Sequence, residues 1–210
     1  DILTPADLAI PGILESHGLH YAAFIEAFGH GDADPGFCNA FEQRPAGCIT
    51  GAGHALHTTG PVLLQSVKEA CRARGLPFSI HLSEHADESA MLMGQKNRFH
   101  DLLADKGFLP ESYTPPGLTP TAYARKLDLL DSQTLAVHCV TVTPSDLAIL
   151  EASGAHVCLC PRSNTFIGVG RAPWEAFLDS RIPLCLGTDS LASSPDLNLW
   201  NELEYFLDHL

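Results

Sequence analysis

The sequence has few basic residues, and this shortage narrows the partners it can bind. Lys and Arg together number 12, against 25 Asp and Glu, which gives a formal net charge of −13 with neutral His. No run of Lys or Arg is present. Because nucleic acids and anionic membranes are bound chiefly through clustered cations, we expect this chain to bind neither. A polar or cationic small molecule fits this charge better.

The sequence also lacks long apolar runs and paired cysteines. No apolar run approaches the roughly 20 residues that span a bilayer. The seven Cys form no C-x-x-C pair, and Cys139, Cys158 and Cys185 lie inside apolar runs, where Cys acts as a small core residue. The odd count and this spacing favour a protein of the reducing cytoplasm over a disulfide scaffold.

Length and composition set the scale of the domain. Hydrophobic residues make up 45% of the 210 residues and charged residues 18%, which predicts a buried core rather than disorder. A chain of this length suits one domain of moderate size, or part of a larger one. Because the sequence begins at Asp1 without Met, we expect an N-terminal portion to be absent.

Short apolar segments alternate with amphipathic ones along the chain, which indicates a parallel α/β sheet. Strands are predicted at 20–28, 48–54, 77–82, 134–139, 157–160 and 183–187. Helices are predicted at 61–74, 87–93, 121–130, 144–153, 172–180 and 196–210. Thr143 should cap the fourth of these helices, and Gly154 should end it. Residues 94–120 are the least regular stretch and are predicted to form a lid or an insertion.

Residues that can bind a metal or transfer a proton follow the carboxyl ends of the predicted strands. They are His54, His81, Glu84, His138, Ser163, Asn164 and Asp189. A (β/α)8 barrel of the TIM type carries its active site on this face. An open doubly wound sheet also binds ligands at strand ends, but at one crevice rather than at five strands. The distribution therefore favours the barrel.

Residues 81–85 read His-Leu-Ser-Glu-His, which matches the H-x-x-E-H string of one group of zinc metalloproteases. That motif needs a helix, so that both His side chains reach one zinc ion. The preceding residues 77–80 are typical of a strand, in which His81 and His85 would lie about 13 Å apart. We therefore reject the protease interpretation and expect His85 to begin a loop.

Each remaining candidate is weak by itself. A lone His is more often a hydrogen-bonded core or loop residue than a ligand, and an Asp after a strand is often a turn or cap residue. Four strand ends that carry His54, His81-x-x-Glu84, His138 and Asp189 in this order are more informative. A carboxylate at the end of an apolar strand is costly unless it is paired or bound to a metal.

Five segments, in order, resemble the amidohydrolase superfamily in its metal-dependent deaminase and chlorohydrolase branch. GAGHALHTTGPVLL resembles strand four of that branch, FSIHLSE its strand-five H-x-x-E, and LAVHC its strand-six His. VCLCPRSN resembles the strand-seven C-P-x-S-N, and LCLGTDSLASSPDLNLWNEL resembles the strand-eight G-T-D segment with its following helix. The similarity covers about residues 48–210. The branch includes adenosine-type, guanine and aminodeoxyfutalosine deaminases.

One part of the family pattern is missing from the sequence. The strand-one H-x-H, which supplies two further metal ligands in the family, occurs nowhere in the 210 residues. We therefore expect one domain, 1–210, that is a partial barrel without its first two strands and without the small β-sandwich of the family. The metal site of these residues alone is expected to be incomplete.

The resemblance implies a metal centre built partly from this chain. His81 and Asp189 would bind one divalent metal, with zinc the first choice and iron the alternative. The metal would activate a water molecule, and Asp189 would accept a proton from it. His138 would hydrogen-bond the attacking oxygen and stabilise the tetrahedral intermediate.

The resemblance also implies contacts with the substrate. Glu84 would protonate the ring nitrogen beside the attacked carbon and then help ammonia to leave. His54 would hydrogen-bond the substrate. Ser163 and Asn164 would either line the pocket or shape the turn after their strand.

The expected reaction is hydrolytic deamination of an aminated purine or purine nucleoside derivative. Dechlorination or deamination of a triazine or pyrimidine ring is the alternative among enzymes, and a non-catalytic fragment is the alternative of another class. A proton donor at Glu84 favours an amine leaving group, because chloride leaves without a proton. The expected partners are a purine-like small molecule and water, and the sequence leaves a homo-oligomer open.

Overall fold

The computed structural model describes residues 2–3, 9–31 and 49–210, and its centre is one parallel sheet. Seven strands lie in the order β1-β2-β3-β4-β5-β6-β7, and each pairs in parallel with the next. The strands are β1 Ile2–Leu3, β2 Ala23–Ala27, β3 Ile49–Ala55, β4 Phe78–Leu82, β5 Thr134–His138, β6 His156–Leu159 and β7 Leu184–Leu186. Sequential parallel pairing is the order of a (β/α) barrel, so the predicted fold class is confirmed.

Helices connect the strands. The described helices are α1 Ala9–Ser16, α2 Pro61–Arg72, α3 Ala86–Leu92, α4 Arg98–Asp105, α5 Pro120–Lys126, α6 Pro144–Ser153, α7 Pro161–Ile167, α8 Trp174–Leu178 and α9 Leu199–Asp208. Thr143 and Asp146 form the capping box of α6, and Gly154 ends it with a left-handed φ of 73°, as predicted. Within the described ranges, each helix is too short or too polar to cross a membrane.

The strand count corrects one expectation. Two strands precede β3, the segment that resembles strand four of the family barrel. β1 and β2 therefore take positions two and three, and the described sheet is one strand short of the eight of such a barrel rather than two. The pattern concealed β1 because a two-residue strand shows no periodicity. Cys48, the first residue of the predicted strand 48–54, lies outside the described residues.

Three further expectations change. Residues 94–120 contain helix α4, which begins where the Asn97 side chain accepts a hydrogen bond from the His100 amide. Helices α1 and α7 were not predicted. Cys185 is exposed rather than part of the core, because β7 has a described neighbour only on its β6 side.

The sheet has two faces with different packing. Ile25, Phe78, Ile80 and Leu82 lie in the large apolar cluster between the sheet and the helices. Because strand residues alternate, His81 points to the opposite, inner face of the sheet. Gly53 permits close packing of α2 on β3, since a Cβ there would collide with the side chain of Leu64.

Candidate active site

Three imidazoles converge where neighbouring strands end. The pairing of β4 with β5 sets Leu82 beside His138, so the two strands end together. The ring centroid of His81 lies 5.2 Å from that of His54 and 5.4 Å from that of His138. The sheet therefore brings together three of the histidines that sequence analysis selected.

The backbone at these strand ends adopts an uncommon conformation. Four residues have φ values in the left-handed region, which residues other than glycine rarely adopt. They are Ser83 at 53°, His138 at 72°, Cys139 at 49° and Asp189 at 60°. The Ser83 turn is held in place by Thr141, whose amide and hydroxyl donate to the Ser83 carbonyl at 2.8 and 3.0 Å. Such backbone conformations cluster at functional sites.

His138 is held in one orientation from behind. Its side chain is buried, and its Nδ1 lies 2.9 Å from Oδ1 of Asn164. Because an amide oxygen only accepts hydrogen bonds, Nδ1 carries the proton and Nε2 is free to accept one. Nε2 lies 3.6 Å from Oε1 of Glu84. Asn164 thus fixes which nitrogen of His138 faces Glu84.

Asp189 is held by hydroxyl groups. Ser163 and Ser193 both donate to Oδ2 of Asp189, at 2.6 and 2.8 Å, and the Ser190 amide donates to Oδ1 at 2.8 Å. Burial acts to raise the pKa of Asp189, but the bonds from Ser163 and Ser193 outweigh it and hold the pKa below its usual value. The carboxylate is therefore ionised at neutral pH.

Ser163 and Asn164 both contact side chains at the strand ends. Both are buried on α7, and each contacts one of the two groups just described, Ser163 binding Asp189 and Asn164 binding His138. The contacts place one short helix behind two strand-end side chains. A direct contact of Ser163 or Asn164 with substrate remains a prediction.

A cavity opens at these strand ends. Its volume is about 220 Å³, and its lining includes His54, His57, Glu84, Glu88, Phe99 and Ile167. His54 is tied by Nδ1 to the hydroxyl of Thr58 at 2.6 Å. Phe99 comes from α4, in the stretch predicted to be a lid or an insertion, and its ring lies 5.1 Å from that of His57. The cavity combines apolar walls with a few convergent polar groups, as ligand sites commonly do.

The amidohydrolase family model matches residues 39–209 of this sequence. The chain belongs to the amidohydrolase family. The resemblance drawn from the five sequence segments is thereby confirmed. Among curated relatives, the aminodeoxyfutalosine deaminase of Deinococcus radiodurans is 32% identical over 173 residues, which cover 78% of this chain and 40% of the relative. The chain thus spans less than half the length of that relative.

Solved structures support the same fold. An aminofutalosine deaminase from Helicobacter pylori, in complex with methylthio-coformycin, matches with a TM-score of 0.80 and 21% identity over 93% of this chain and 50% of that chain. An adenosine deaminase from Xanthomonas campestris with bound zinc matches with a TM-score of 0.70 and 22% identity over 93% of this chain and 42% of that chain. At these identities the likeness shows that this amidohydrolase shares their fold.

The side chains of this amidohydrolase fit the divalent metal that the family uses. Glu26, His54 and His81 each offer a ligand atom, and these atoms lie within 4.8 Å of one another. Burial lowers the pKa of His81 to about 3, so its imidazole is neutral at neutral pH, the form that binds metals. Imidazole nitrogen with carboxylate oxygen is a donor set suited to zinc or iron.

Glu26 of this amidohydrolase was not predicted as a site residue. Its flanking residues Ile25 and Ala27 are buried, so alternation along β2 turns Glu26 towards the inner face. Burial raises the pKa of Glu26 to about 7. A single charged residue in the apolar stretch Ala22–Phe28 is the signal that would have identified it.

The H-x-x-E-H string of this amidohydrolase spans a strand and a turn. His81 lies in β4, whereas His85 is the N-cap of α3 and accepts a hydrogen bond from the Asp87 amide at 2.9 Å. The ring of His85 stacks on Phe99 with centroids 4.9 Å apart. The prediction that His85 begins a loop is wrong, because the turn begins at Ser83 and His85 ends it as the N-cap of α3. The strand at His81 departs from the single helix that the protease motif requires.

Proposed function

We propose that this amidohydrolase catalyses the hydrolytic deamination of an aminated purine, carried as a nucleoside derivative of the adenosine type. The observation that carries the proposal is the position of Glu84 beside Nε2 of His138, next to His81 at the strand ends. A carboxyl and an imidazole at this separation can supply and remove protons on either side of one reacting carbon. The deaminase name of the curated relative supports the same reaction class.

Of the three clustered groups, His81 would bind the metal together with Asp189, as the family resemblance implies, and His54 would face the substrate. Zinc is the first choice of metal and iron the alternative. When bound, such a metal lowers the pKa of a coordinated water molecule to about 7, which provides a nucleophile at neutral pH. The H-x-H that supplies further ligands in the family is absent from the 210 residues. Glu26 lies close enough to His81 to add negative charge beside the cation.

His138 and Asp189 would handle the proton of the attacking water. Asn164 keeps the proton of His138 on Nδ1, so Nε2 can accept a proton as the oxygen attacks. The resulting imidazolium then stabilises the tetrahedral intermediate by donating a hydrogen bond to the attacking oxygen. Asp189 is ionised and can take the second proton from the same oxygen as the carbonyl forms.

Glu84 would act on the substrate ring. In its protonated form it donates to the ring nitrogen next to the attacked carbon, which makes that carbon more electrophilic. After attack, Glu84 takes over the proton that His138 received from the water and gives it to the amino nitrogen, the C–N bond breaks and ammonia leaves. The proton held by Asp189 then restores the acid form of Glu84. A chloride leaving group would not need this proton, so Glu84 favours amines over chlorinated triazines or pyrimidines.

His54 would hold the substrate through Nε2, since its Nδ1 is engaged with Thr58. Burial, followed by the proximity of His138, lowers the pKa of His54, so a neutral ring faces the cavity. A neutral imidazole can hydrogen-bond a ring nitrogen or a hydroxyl group without the cost of burying a charge.

The test is an assay of paired substrates with full-length protein loaded with zinc or with iron(II). Adenosine, 5′-methylthioadenosine and S-adenosylhomocysteine are compared with 6-chloropurine riboside and with amino- and chlorotriazines. We expect ammonia from at least one aminated purine nucleoside, and slower or no chloride release from the triazines. Turnover of triazines alone would overturn the purine assignment, and no turnover of any compound would overturn the enzymatic one.

A further inference from the structure

Glu88 is a second buried carboxyl directly behind Glu84. It lies on α3, its side chain is 1% exposed, and its Oε2 accepts a hydrogen bond from the Glu84 amide at 2.9 Å. Backbone groups of Ser83 and His85 also face this carboxyl. One side chain therefore serves the whole turn that joins β4 to α3 and carries Glu84.

The turn has few other supports. Ser83 adopts its φ of 53° at the start of the turn, where Thr141 holds its carbonyl and the Thr121 hydroxyl lies 3.2 Å from its own hydroxyl. These contacts fix Ser83, on the strand side. Among the described residues, Glu88 is the side chain that fixes the amide of Glu84 itself.

Glu88 is expensive to bury. Its Oε1 is buried and has no hydrogen-bond partner within the described part of the chain, and burial raises its pKa to about 8. An apolar side chain of the same size would avoid this cost. A polar group kept at such a position calls for an explanation beyond packing.

We propose that Glu88 is a positioning residue, which sets the position and orientation of the Glu84 side chain by accepting a hydrogen bond from its backbone amide. The inference rests on the proposed role of Glu84 as proton donor. The hydrogen bond from the Glu84 amide to the Glu88 carboxyl fixes the main chain at Glu84. The carboxyl of Glu84 therefore stays beside Nε2 of His138. Placement errors of about 1 Å in a reacting group cost roughly 100-fold in rate.

The test compares Glu88→Gln with Glu88→Met in full-length protein. Gln keeps an acceptor oxygen at the same reach, whereas Met has nearly the same length and no comparable acceptor. We expect E88M to lower kcat by roughly 10- to 100-fold with KM and metal content little changed, and E88Q to retain most of kcat. Equal kcat in both variants, whether high or low, would overturn the proposal.

A matched control separates positioning from general loss of a buried carboxylate. Asp146 is also 1% exposed, its Oδ2 accepts a hydrogen bond from the Thr143 amide at 2.9 Å, and it is not among the residues that line the cavity. Asp146→Ala should lower the unfolding midpoint in urea while kcat stays near the wild-type value. If D146A lowers kcat as much as E88M does, a merely structural role explains both.

Amide hydrogen exchange tests the same contact without turnover. We expect the Glu84 amide to exchange faster in E88M than in wild type, and to keep its protection in E88Q. Wild-type protein that releases no ammonia but shows this exchange pattern would defeat the proposed function and leave the positioning contact intact. An unchanged Glu84 exchange rate in E88M would defeat the positioning contact whatever the activity.

Discussion

Nε2 of His138 lies 3.6 Å from Oε1 of Glu84, although the two residues are 54 positions apart in the sequence. The pairing of β4 with β5 produces this approach, because it ends both strands at one level. Asn164 fixes His138 from one side and Glu88 fixes Glu84 from the other. The structure thus presents an imidazole and a carboxyl side by side, each held by a different neighbouring side chain.

Glu84→Gln should abolish most activity while leaving the metal in place. Gln has the shape of Glu but cannot donate the acidic proton, so we expect kcat to fall by at least about 100-fold. Metal analysis of the purified variant should equal that of wild type. Loss of the metal would instead identify Glu84 as a ligand and contradict its role as proton donor.

Asn164→Ala should weaken the orientation of His138. Without Oδ1 of Asn164, the buried Nδ1–H of His138 loses its acceptor and the ring can turn or change tautomer. We expect kcat to fall roughly 10- to 100-fold, with a smaller loss in Asn164→Asp, which keeps an acceptor. Equal activities in both variants would contradict the orienting role, and steady-state kinetics decides between these outcomes.

Folding stability should depend on pH through Glu88. Burial raises its pKa from 4.5 to about 8, and the nearby charge of Glu84 acts in the same direction. Below pH 4.5 both folded and unfolded chains hold the proton, so the favourable contribution is fully present. Between pH 4.5 and about 8 the unfolded chain releases the proton first, so stability falls as the pH rises.

Urea unfolding at pH 5 and pH 8 measures this dependence. We expect wild type to lose roughly a few kcal/mol more over this range than Glu88→Gln, which has no proton to lose. Parallel pH profiles of stability for the two proteins would show that the Glu88 carboxyl titrates normally in the folded state.

Lys68 should matter for stability and not for catalysis. Its side chain is 1% exposed, and Nζ contacts Oδ1 of Asp131 at 2.6 Å and the hydroxyl of Thr134 at 2.8 Å. Thr134 is the first residue of β5, at the end of the sheet opposite the cavity. In Lys68→Ala, Asp131 keeps its ion pair with Arg72, and this limits the loss. We expect the unfolding free energy to fall by about 2 kcal/mol.

The control for Lys68 is an exposed pair. Arg181 contacts Glu151 at 3.2 Å with its side chain 90% exposed, so Arg181→Ala should change stability far less. Chemical denaturation measures both variants, and ammonia release should be unchanged in each. If Lys68→Ala is fully folded under the assay conditions and still has a lower kcat, Lys68 contributes to catalysis, and its assignment to stability alone is wrong.

The strands were predictable because a strand that is buried on both faces has a largely apolar sequence. Runs such as Phe78–Leu82 and Thr134–His138 are largely apolar, and the polar residues at their carboxyl ends lie on the face where a barrel of this type carries its site. Helix α7 was not predicted, because its residues overlap the motif CPRSN and were considered one by one as site residues. The two-residue β1 carries too little periodicity for any pattern to show. Helix α4 is amphipathic over eight residues, and its pattern was overlooked in a stretch rich in Pro and Gly.

The site was predictable residue by residue but not contact by contact. His81 and His138 were selected from their strand-end positions, and the fold brings them together. The support of His138 by Asn164 joins residues 26 positions apart, which only the packing of α7 against β5 produces. Glu88 was concealed because an acidic residue in the first turn of a helix is ordinarily exposed and interacts with the helix dipole.

Ammonia release by full-length, metal-loaded protein from an adenosine-type nucleoside tests the central claim most directly. We predict one ammonia for each nucleoside consumed, with the ring amino group replaced by a carbonyl oxygen drawn from water. Glu84→Gln, with its metal retained, should release little or none. No ammonia from any purine nucleoside tested, or equal release by wild type and Glu84→Gln, would contradict the account.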